Sequence, residues 1–511
     1  MIAVLDFGSQ YTHLITRRIR SLEVSAEIFE TDVTPETLKT KGVSGIILSG
    51  GPNSVYDKNA PEFDKKILEL GIPVLGVCYG HQLIAYVLDG EVKPGKSREY
   101  GEKILDVNDQ NTPLLKGLEK KEQVWFSHGD QVTKLPQGFV SIASTDETET
   151  AAMANEEKKI YGIQFHPEVV HTLKGMKVLE NFLFDICQQT KDWKIEDLKS
   201  KLIAEIKQTV GEKKVIIGVS GGVDSLVASE LLREAIGDNL YCVFIDTGFM
   251  RKNEADEVTT LYRDLGFKNF VAVSSGPDFY KVLAGVVDPE QKRKTFSAEY
   301  FEIFDRTVGD LKQTEEIEFL AQGTIYPDRI EAAKTSKTAQ VIKSHHNTSI
   351  PDKYRFQLVE PLKDLYKDEV RELGKELGIA DSALKRHPFP GPGLLIRVLG
   401  EATVERLELL READAIFIEE LKSSGWYEKT WQAFAALLPI KSVGVMGDFR
   451  TYEYLLALRA VTSVDAMTAD WARLPEDLLN KISKRITNEV RGVNRVVYDI
   501  TQKPPATIEY E

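Results

Sequence analysis

The chain has 511 residues, of which 42% are hydrophobic and 28% are charged, an ordinary balance for a soluble globular protein. Its formal net charge of −14 argues against a nucleic-acid or anionic-membrane partner, since either would favour a basic face. The three cysteines are far apart and form no C-x-x-C pair, which argues against a disulfide framework or a structural metal site and favours the reducing cytoplasm. No signal peptide or membrane-spanning run is expected, and the length suggests about three domains.

The first third of the chain alternates short apolar runs with helical patterns. Strands are predicted at residues 2–7, 45–49 and 72–77, and helices at residues 11–21 and 83–88. This alternation predicts an α/β fold with a mainly parallel sheet. Ligands of such folds bind beyond the carboxyl ends of the strands, where the distinctive motifs of this region also lie.

The sequence Gly-Val-Cys-Tyr-Gly at positions 76–80 has the pattern of a nucleophile elbow, in which a sharp turn between strand and helix exposes the central residue. A lone buried cysteine is usually just a small hydrophobic residue, but this context favours Cys78 as a nucleophile. A nucleophile also needs a base and an orienting group. His166 and Glu168 follow a strand predicted at residues 160–165, so both side chains can point into one site.

Three motifs of this region together resemble the class I glutamine amidotransferase family: Gly-Gly-Pro at 50–52, Gly-Val-Cys-Tyr-Gly-His-Gln at 76–82 and Gln-Phe-His-Pro-Glu at 164–168. The resemblance covers residues 1–188. It implies a Cys78–His166–Glu168 triad that hydrolyses glutamine to glutamate and ammonia through a thioester.

The same resemblance implies an oxyanion hole of backbone N–H groups near Gly51 and Tyr79, and a glutamine pocket shaped by Gln82 and by Ser-His-Gly-Asp at positions 127–130. For His128, a polar turn and a contact with glutamine are equally good interpretations. His81 fits packing of the elbow better than a role as a second base.

The middle third is organised around Ser-Gly-Gly-Val-Asp-Ser at positions 220–225, between a predicted strand and a predicted helix at 224–236. Glycines at such a turn let backbone N–H groups approach an anion, and the helix N-terminus adds partial positive charge. The loop lacks the lysine of the commoner phosphate-binding motif. It resembles the pyrophosphate loop of the ATP pyrophosphatase superfamily, which implies cleavage of ATP between the α and β phosphates. The implied ATP-binding residues are Ser220, Gly221, Gly222, Val223, Asp224, Ser225 and Leu226.

Two further segments predict contacts with phosphates. Asp328 and Glu331 lie three residues apart on one face of a predicted helix, an arrangement that suits Mg²⁺ held against pyrophosphate. Lys343, His345 and His346 belong to a polar segment that suits a lid closing over phosphates. Metal binding by the two histidines is the less favoured alternative, because no further ligand completes a zinc set.

The last third contains a Pro/Gly-rich stretch at residues 387–393 that excludes regular structure. A strand is predicted after it at residues 394–399. Further along, a helix is predicted at residues 451–461, another helix at 478–490 and a strand at 495–500.

Five motifs from the middle and last thirds together resemble the family of glutamine-hydrolysing GMP synthetases: Gly-Thr-Ile-Tyr-Pro-Asp (323–328), Lys-Ser-His-His-Asn (343–347), His-Pro-Phe-Pro-Gly-Pro-Gly-Leu (387–394), Ser-Val-Gly-Val-Met-Gly-Asp (442–448) and Lys-Pro-Pro-Ala-Thr-Ile-Glu (503–509). The resemblance runs from end to end. It implies amination of xanthosine 5′-monophosphate (XMP) at C2, with ATP and Mg²⁺ as substrate and no tightly bound organic cofactor. The implied XMP residues are Arg306, Arg397, Gln432, Lys503, Ile508 and Glu509.

The predicted organisation is a class I glutamine amidotransferase α/β domain (1–188), a doubly wound parallel-sheet ATP pyrophosphatase domain (195–386) and a smaller α+β C-terminal domain (387–511). The resemblance implies that the last domain pairs two chains into a homodimer. One departure is visible, because Thr-Ser-Ile-Pro-Asp-Lys-Tyr at 348–354 replaces the family's Val-Gly-Gly-Leu-Pro and puts the motion of the lid in doubt.

Three other functions are weighed against this one. A different carbonyl acceptor is disfavoured by the C-terminal motifs, and a binding protein with an inactive glutaminase is disfavoured by the intact Cys78, His166 and Glu168. A nucleic-acid-modifying pyrophosphatase is disfavoured by the acidic net charge.

Overall fold

The computed structural model describes residues 1–9, 11–313, 315–328, 356–463 and 468–511, and it divides into two compact units, Met1–Asp197 (unit 1) and Leu198–Glu511 (unit 2). Within these described ranges, no helix is both long enough and apolar enough to cross a membrane. Unit 1 carries one sheet and unit 2 carries two. The further division of unit 2 at residue 387 stays a prediction.

Unit 1 is built on a nine-stranded sheet. Its strands are β1 Ile2–Asp6, β2 Ala26–Glu30, β3 Gly45–Leu48, β4 Val74–Val77, β5 Glu91–Val107, β6 Lys121–Lys134, β7 Val140–Ser144, β8 Ala152–Asn155 and β9 Ile160–Ile163. Its helices are α1 Thr12–Ser21, α2 Pro35–Thr40, α3 Tyr79–Val87 and α4 Gly175–Glu180, with a wider helical turn at Asn181–Ile186 and 3₁₀ turns at Lys65–Glu69 and Pro113–Leu115.

The strand order of this sheet is β2-β1-β3-β4-β9-β8-β7-β5-β6. The first five strands are parallel to their neighbours and the rest pair antiparallel. Side chains alternate between two cores: Ile2 and Val4 of β1 pack on one face, whereas Ala3 and Leu5 pack on the other. Burial on both faces explains why these strands are uniformly apolar, and it confirms the predicted α/β fold.

The first sheet of unit 2 has five strands in the order β12-β11-β10-β13-β14, all parallel. These strands are β10 Lys214–Val219, β11 Leu240–Asp246, β12 Asn269–Ser274, β13 Ile317–Ala321 and β14 Gln357–Val359. The helices around them are α5 Ile195–Val210, α6 Val223–Ile236, α7 Glu254–Asp264, α8 Gly276–Val282, α9 Pro289–Lys312, α10 Lys367–Glu376 and α11 Asp381–Leu384, with a 3₁₀ turn at Gly237–Asn239. Because β10 is central, the loop that follows it opens at the middle of the carboxyl edge.

The second sheet of unit 2 is a long hairpin with two short additions. Strands β15 Gln432–Met446 and β16 Phe449–Thr462 pair antiparallel, and β16 also pairs with β17 Asp470–Trp471 and with β18 Val493–Tyr498. Helices α12 Val404–Ser423 and α13 Glu476–Glu489 accompany it. One buried apolar cluster contains side chains of both sheets of unit 2, including Ile216 and Leu456.

Two predicted elements are wrong in this region. Residues 451–461 form part of strand β16 and not a helix, because β15 and β18 pair with its two edges and the apolar residues among 456–461 pack into clusters on both of its faces. Residues 394–399 are not a strand, because Gly393–Arg397 forms a 3₁₀ turn and its only sheet contact among the described residues is an isolated bridge from Val398 to Leu437.

Candidate active sites

Cys78 occupies a strained turn between β4 and α3. Its φ of 53° and ψ of −103° are unfavourable for a residue with a side chain, and its N–H donates to the Ile163 carbonyl at 2.8 Å. The flanking glycines are required by space: a Cβ on Gly80 would lie 2.3 Å from the Leu48 carbonyl oxygen, and one on Gly76 would lie 2.4 Å from that of Gly80. The predicted elbow is therefore the geometry that the structure adopts.

His166 and Glu168 meet beside this cysteine at the end of β9. His166 Nδ1 lies 2.7 Å from Glu168 Oε1, and both side chains are buried. Burial disfavours the charged imidazole, but the neighbouring Glu168 carboxylate and the Cys78 sulfur outweigh it and raise the pKa of His166 to about 10. The Tyr11 ring packs edge-on against the imidazole. This arrangement favours an imidazolium beside the Cys78 sulfur.

The backbone of the Gly-Gly-Pro turn lies over this pair. A Cβ on Gly50 would be 3.4 Å from His166 Cε1 and 3.6 Å from Cys78 Cβ, so this glycine lies directly against both residues. Tyr79 is the first residue of α3, where backbone N–H groups have no partner within the helix. Gly51 and Tyr79 thus lie on the two turns that border Cys78, as an oxyanion hole requires.

The predicted glutamine pocket lies along β6. Residues 127–130 belong to this strand, so the interpretation as a polar turn is wrong. Gln82 Nε2 donates to the Asp130 carbonyl at 2.7 Å, and the Asp130 carboxylate accepts from Ser54 and Tyr56. His81 is fully buried, and burial together with the charge of His128 lowers its pKa to about 3, which agrees with packing of the elbow.

Glu99 is a buried carboxylate that the sequence did not single out. Its Oε2 lies 3.0 Å from His128 Nε2 and also accepts a hydrogen bond from Thr148. Because His128 Nδ1 lies 2.9 Å from the Asp130 carbonyl oxygen, which can only accept, that nitrogen carries a proton. Burial opposes ionisation of Glu99, but His128 and Thr148 together lower its pKa. The contact between Glu99 and His128 therefore joins β5 to β6 beside the predicted glutamine pocket.

Replacing Glu99 by glutamine should lower the free energy of unfolding by about 2–3 kcal/mol at neutral pH, because a buried imidazole loses its charged partner. A carboxylate whose pKa is depressed in the folded state stabilises the protein above its unfolded pKa and loses that effect as the pH falls. The difference in the free energy of unfolding between wild type and Glu99→Gln should therefore become smaller below about pH 4.5. Thermal unfolding from about pH 2.5 to pH 8 measures this difference, with the exposed neighbour Glu102→Gln as control. A difference that does not change with pH would contradict the ion pair.

In unit 2, the Ser-Gly-Gly-Val-Asp-Ser loop forms the predicted strand–loop–helix cradle. Gly221 has a φ of +74°, and Ser220 Oγ accepts from the Gly222 N–H at 3.3 Å. Ser225 Oγ donates to the Gly222 carbonyl at 3.1 Å. Helix α6, which includes Val223 and Leu226, begins within this loop, and the first N–H groups of a helix are free to bind an anion.

The loop acquires a lysine from a distant part of the chain. Lys367 Nζ, at the start of α10, lies 2.6 Å from both carboxylate oxygens of Asp224. Arg386 adds a second cation by donating to the Gly221 carbonyl at 3.1 Å. In the sequence, Lys367 is only one basic residue at the start of a helix, and no motif marks it as part of this loop.

The Gly-Thr-Ile-Tyr-Pro-Asp motif lies beside the same loop. A Cβ on Gly323 would be 3.1 Å from the Ser225 nitrogen. Asp328 Oδ2 accepts from the Ile325 N–H at 3.1 Å, so this carboxylate caps its own turn. Glu331, Lys343, His345, His346 and the loop at 348–354 lie outside the described residues.

Most of the residues predicted to bind XMP converge near the end of the chain. Arg397, fully buried, makes a bidentate ion pair with Glu509, at 2.8 Å and 3.1 Å, and Gln432 Nε2 donates to the same carboxylate at 2.6 Å. Ile508 is buried in the adjoining apolar cluster. Lys503 lines an open cavity of about 500 Å³.

Arg306 is not part of this group. It is exposed on α9 and lies 3.7 Å from Asp278. Arg459, which the sequence did not single out, is fully buried and donates to the carbonyls of Ile508, Thr501 and Thr507 and to the Asp499 carboxylate. It fixes the path of the final segment.

Comparison with known proteins gives three family matches along the chain. Residues 3–186 match glutamine amidotransferase class-I, residues 194–299 match NAD synthase, and residues 419–510 match the GMP synthase C terminal domain. The fold and the Cys–His–Glu site thus define a class I glutamine amidotransferase joined in one chain to an ATP-dependent ligase.

Relatives align with the chain along its whole length. The GMP synthase (glutamine-hydrolyzing) of Carboxydothermus hydrogenoformans is 55% identical and those of Clostridium novyi and Clostridium botulinum are 52% identical, each alignment covering 100% of this chain and 99% of the relative. The chain belongs to the glutamine-hydrolysing GMP synthase family.

Proposed function

We propose that this enzyme makes GMP from XMP, glutamine and ATP, and releases glutamate, AMP and pyrophosphate. The observation that carries the proposal is the presence, in one chain, of a buried Cys78–His166–Glu168 triad and of an anion-binding loop whose Asp224 is paired with Lys367. The first suits release of ammonia from glutamine, and the second suits activation of the carbonyl that receives it.

In the glutaminase reaction, the Cys78 thiolate attacks the carboxamide carbon of glutamine. Backbone N–H groups at Gly51 and Tyr79 stabilise the oxyanion that forms, and the His166 imidazolium gives its proton to the departing ammonia. His166, held by Glu168, then takes a proton from water as it attacks the thioester. Glutamate leaves and the thiolate is restored.

In the synthetase reaction, the XMP C2 oxygen attacks the α-phosphorus of ATP, the α–β bond breaks, and pyrophosphate leaves into the loop at 220–225. Ammonia then attacks C2 and displaces AMP. Lys367, the backbone N–H groups of the loop and the start of α6 neutralise the charge that develops on the leaving pyrophosphate.

Magnesium fits this loop. Among the contacts that the structure gives it, the partly exposed Asp224 carboxylate is paired only with the flexible side chain of Lys367. At ATP sites, Mg²⁺ is usually bound by one or two carboxylates together with phosphate oxygens. Asp224 would hold the ion, with Asp328 and Glu331 as the other proposed ligands, and the bound ion would offset phosphate charge. Lys343, His345 and His346 are proposed to act from a lid.

For XMP we propose a site formed by Gln432, Lys503 and Glu509. The contacts that support it are the convergence of Gln432 and Arg397 on Glu509 and the place of Lys503 beside the cavity. Buried Arg397 and Ile508 would position this site, whereas the exposed Arg306 would have to reach it from α9. We propose that glutamine hydrolysis, activation by ATP and binding of XMP are divided among three domains, at residues 1–188, 195–386 and 387–511.

Product analysis tests the proposal. Purified enzyme with XMP, glutamine, ATP and Mg²⁺ should yield GMP, AMP, pyrophosphate and glutamate in equal amounts. ADP and phosphate would contradict the role of the loop, and AMP formed only with an acceptor other than XMP would contradict the substrate.

We also propose a cytoplasmic location, which is supported by the three free thiols, Cys78, Cys187 and Cys242.

We also propose that the tip of the β15–β16 hairpin pairs two chains into a homodimer. Val443 and Tyr452 are cross-strand partners and share one face of the hairpin with Val445, whereas Phe449 lies on the other face at the tip; these four side chains, the hairpin patch, are 58–79% exposed. Contiguous exposed apolar side chains of this kind mark protein–protein interfaces. A second copy of the hairpin is the occupant that we propose, since most homo-oligomers pair the same surface of both subunits.

Replacing both Val445 and Phe449 by aspartate should convert the dimer to monomers at micromolar concentration, because pairing would bury four unpaired carboxylates. Light scattering after size-exclusion chromatography measures the mass. The matched control is Val287→Asp, which changes a valine that is 55% exposed elsewhere in unit 2. A double variant with the mass of a dimer would contradict this interface.

A further inference from the structure

A chain of three side chains leads from the glutamine pocket to the nucleophile. Gln82 Nε2 donates to the Asp130 carbonyl at 2.7 Å and to Gln164 Oε1 at 3.1 Å. Gln164 Nε2 in turn lies 3.7 Å from Cys78 Sγ, within hydrogen-bond range for sulfur. Gln164 is fully buried, so its amide is fixed by these contacts and not by water.

The orientation of both amides follows from the first contact. A backbone carbonyl oxygen can only accept, so the atom of Gln82 that faces Asp130 is the nitrogen. Its second hydrogen then points at Gln164, which must present its oxygen, because two NH₂ groups would repel. The other end of the Gln164 amide, which faces the sulfur, is therefore the donor.

Besides His166, the sulfur contacts two polar groups that have opposite preferences. Cys78 Sγ lies 3.6 Å from the Ser127 carbonyl oxygen, which accepts from a thiol and repels a thiolate. The Gln164 N–H favours the thiolate, since a hydrogen bond to a charged acceptor is stronger than one to a neutral acceptor. Loss of the proton from sulfur thus exchanges the Ser127 contact for the Gln164 contact.

We propose that Gln164 is a hydrogen-bond donor to the Cys78 thiolate, and that Gln82 is the positioning residue that fixes its orientation. This rests on the proposed function in one respect, the role of Cys78 as the nucleophile. Gln164 acts before glutamine arrives, by raising the fraction of enzyme in which the sulfur is ionised. Its contribution is electrostatic and separate from binding of glutamine.

The other titratable groups around the sulfur are His166 with Glu168 on one side and Asp130 and His128 with Glu99 on the pocket side. All of them are kept when Gln164 alone is changed. Gln164→Met preserves the length of the side chain and removes the donor. Gln164→Glu preserves the shape more closely and replaces the donor by an oxygen.

The test follows alkylation of Cys78 by iodoacetamide from pH 5 to pH 10 in the full chain, with the modified peptide quantified by mass spectrometry. The midpoint should rise by about one pH unit in Gln164→Met, and further in Gln164→Glu. Glutaminase kcat/KM should fall about tenfold in Gln164→Met and more in Gln164→Glu, through kcat more than KM. Ammonia-supported GMP synthesis should stay within about twofold and report intact folding.

The matched control is Gln110→Met, the same change at an exposed glutamine of unit 1, which should leave the midpoint unchanged. An unchanged alkylation midpoint in Gln164→Met would overturn the proposal. A midpoint in Gln164→Glu that is nearer to wild type than the midpoint in Gln164→Met would also overturn it, because that order would report an effect of packing. If Gln164→Glu does not fold, Gln164→Leu must give the same midpoint as Gln164→Met. Glutaminase activity that survives in Cys78→Ala would overturn the role of Cys78 as the nucleophile. If Cys78→Ala loses the activity but the Gln164 variants keep the wild-type midpoint, only the role of Gln164 is overturned.

Discussion

Replacing Cys78 by alanine is expected to abolish glutamine-dependent GMP synthesis, with a loss of at least about 10³-fold, and to leave ammonia-dependent synthesis within about twofold of wild type. Without the sulfur no thioester can form, whereas the loop, Lys367 and the proposed XMP site all belong to unit 2 and are untouched. Steady-state rates with glutamine and with ammonium chloride measure the two activities separately.

Cys187→Ala is the matched control for this prediction. Cys187 is also a thiol of unit 1, but burial raises its pKa to about 12, so it is protonated at neutral pH and should tolerate the change. Loss of ammonia-dependent synthesis in Cys78→Ala would show that the two reactions are not divided between the two sites.

Lys367→Met is expected to reduce synthesis with either glutamine or ammonia by about 10²–10³-fold. One cation within about 4 Å of the phosphates is worth about 3–4 kcal/mol near a protein surface, and this charge is needed most when pyrophosphate departs. Formation of AMP from ATP and XMP under excess ammonium measures the step directly.

The matched control is Lys375→Met, on the exposed side of the same helix. A second variant separates two causes of the loss, because Lys367→Met also leaves Asp224 without its partner. If stray repulsion from Asp224 were the cause, Lys367→Met combined with Asp224→Asn would bind pyrophosphate without Mg²⁺ as tightly as wild type, because Asp224 serves binding only through the ion. Full activity in Lys367→Met alone would show that the lysine only steadies the start of α10.

The parts of the sites that the sequence predicted are those built from neighbours in the chain. Cys78 and the Ser-Gly-Gly loop each lie on one strand–turn–helix, and glycine spacing specifies such a turn locally. His166 and Glu168 were joined to Cys78 through resemblance, and the structure brings the strands before them, β4 and β9, side by side.

The residues that were missed depend on pairing at a distance. Lys367 is 143 positions from Asp224, and Glu99 meets His128 because the two are cross-strand partners of β5 and β6. The register of β5 and β6 shifts between Pro94 and Glu99, so counting along the strands would not have found the pair. Strand β16 was mistaken for a helix for a related reason, since its apolar run fits either element until its partners are known.

The ion pairs that hold the final segment also order events in time. Arg397 is buried, yet its partner Glu509 is 112 residues later, and buried Lys292 pairs with Glu511, 219 residues later. At about 5–20 residues per second, a ribosome exposes these cations for many seconds before their carboxylates exist. Closing the core of unit 2 before then would bury these cations without their carboxylates, at a cost of about 3–5 kcal/mol each, whereas unit 1 has all its residues once position 197 has emerged. Unit 1 should therefore fold first, and unit 2 only after Glu509 and Glu511 have been added.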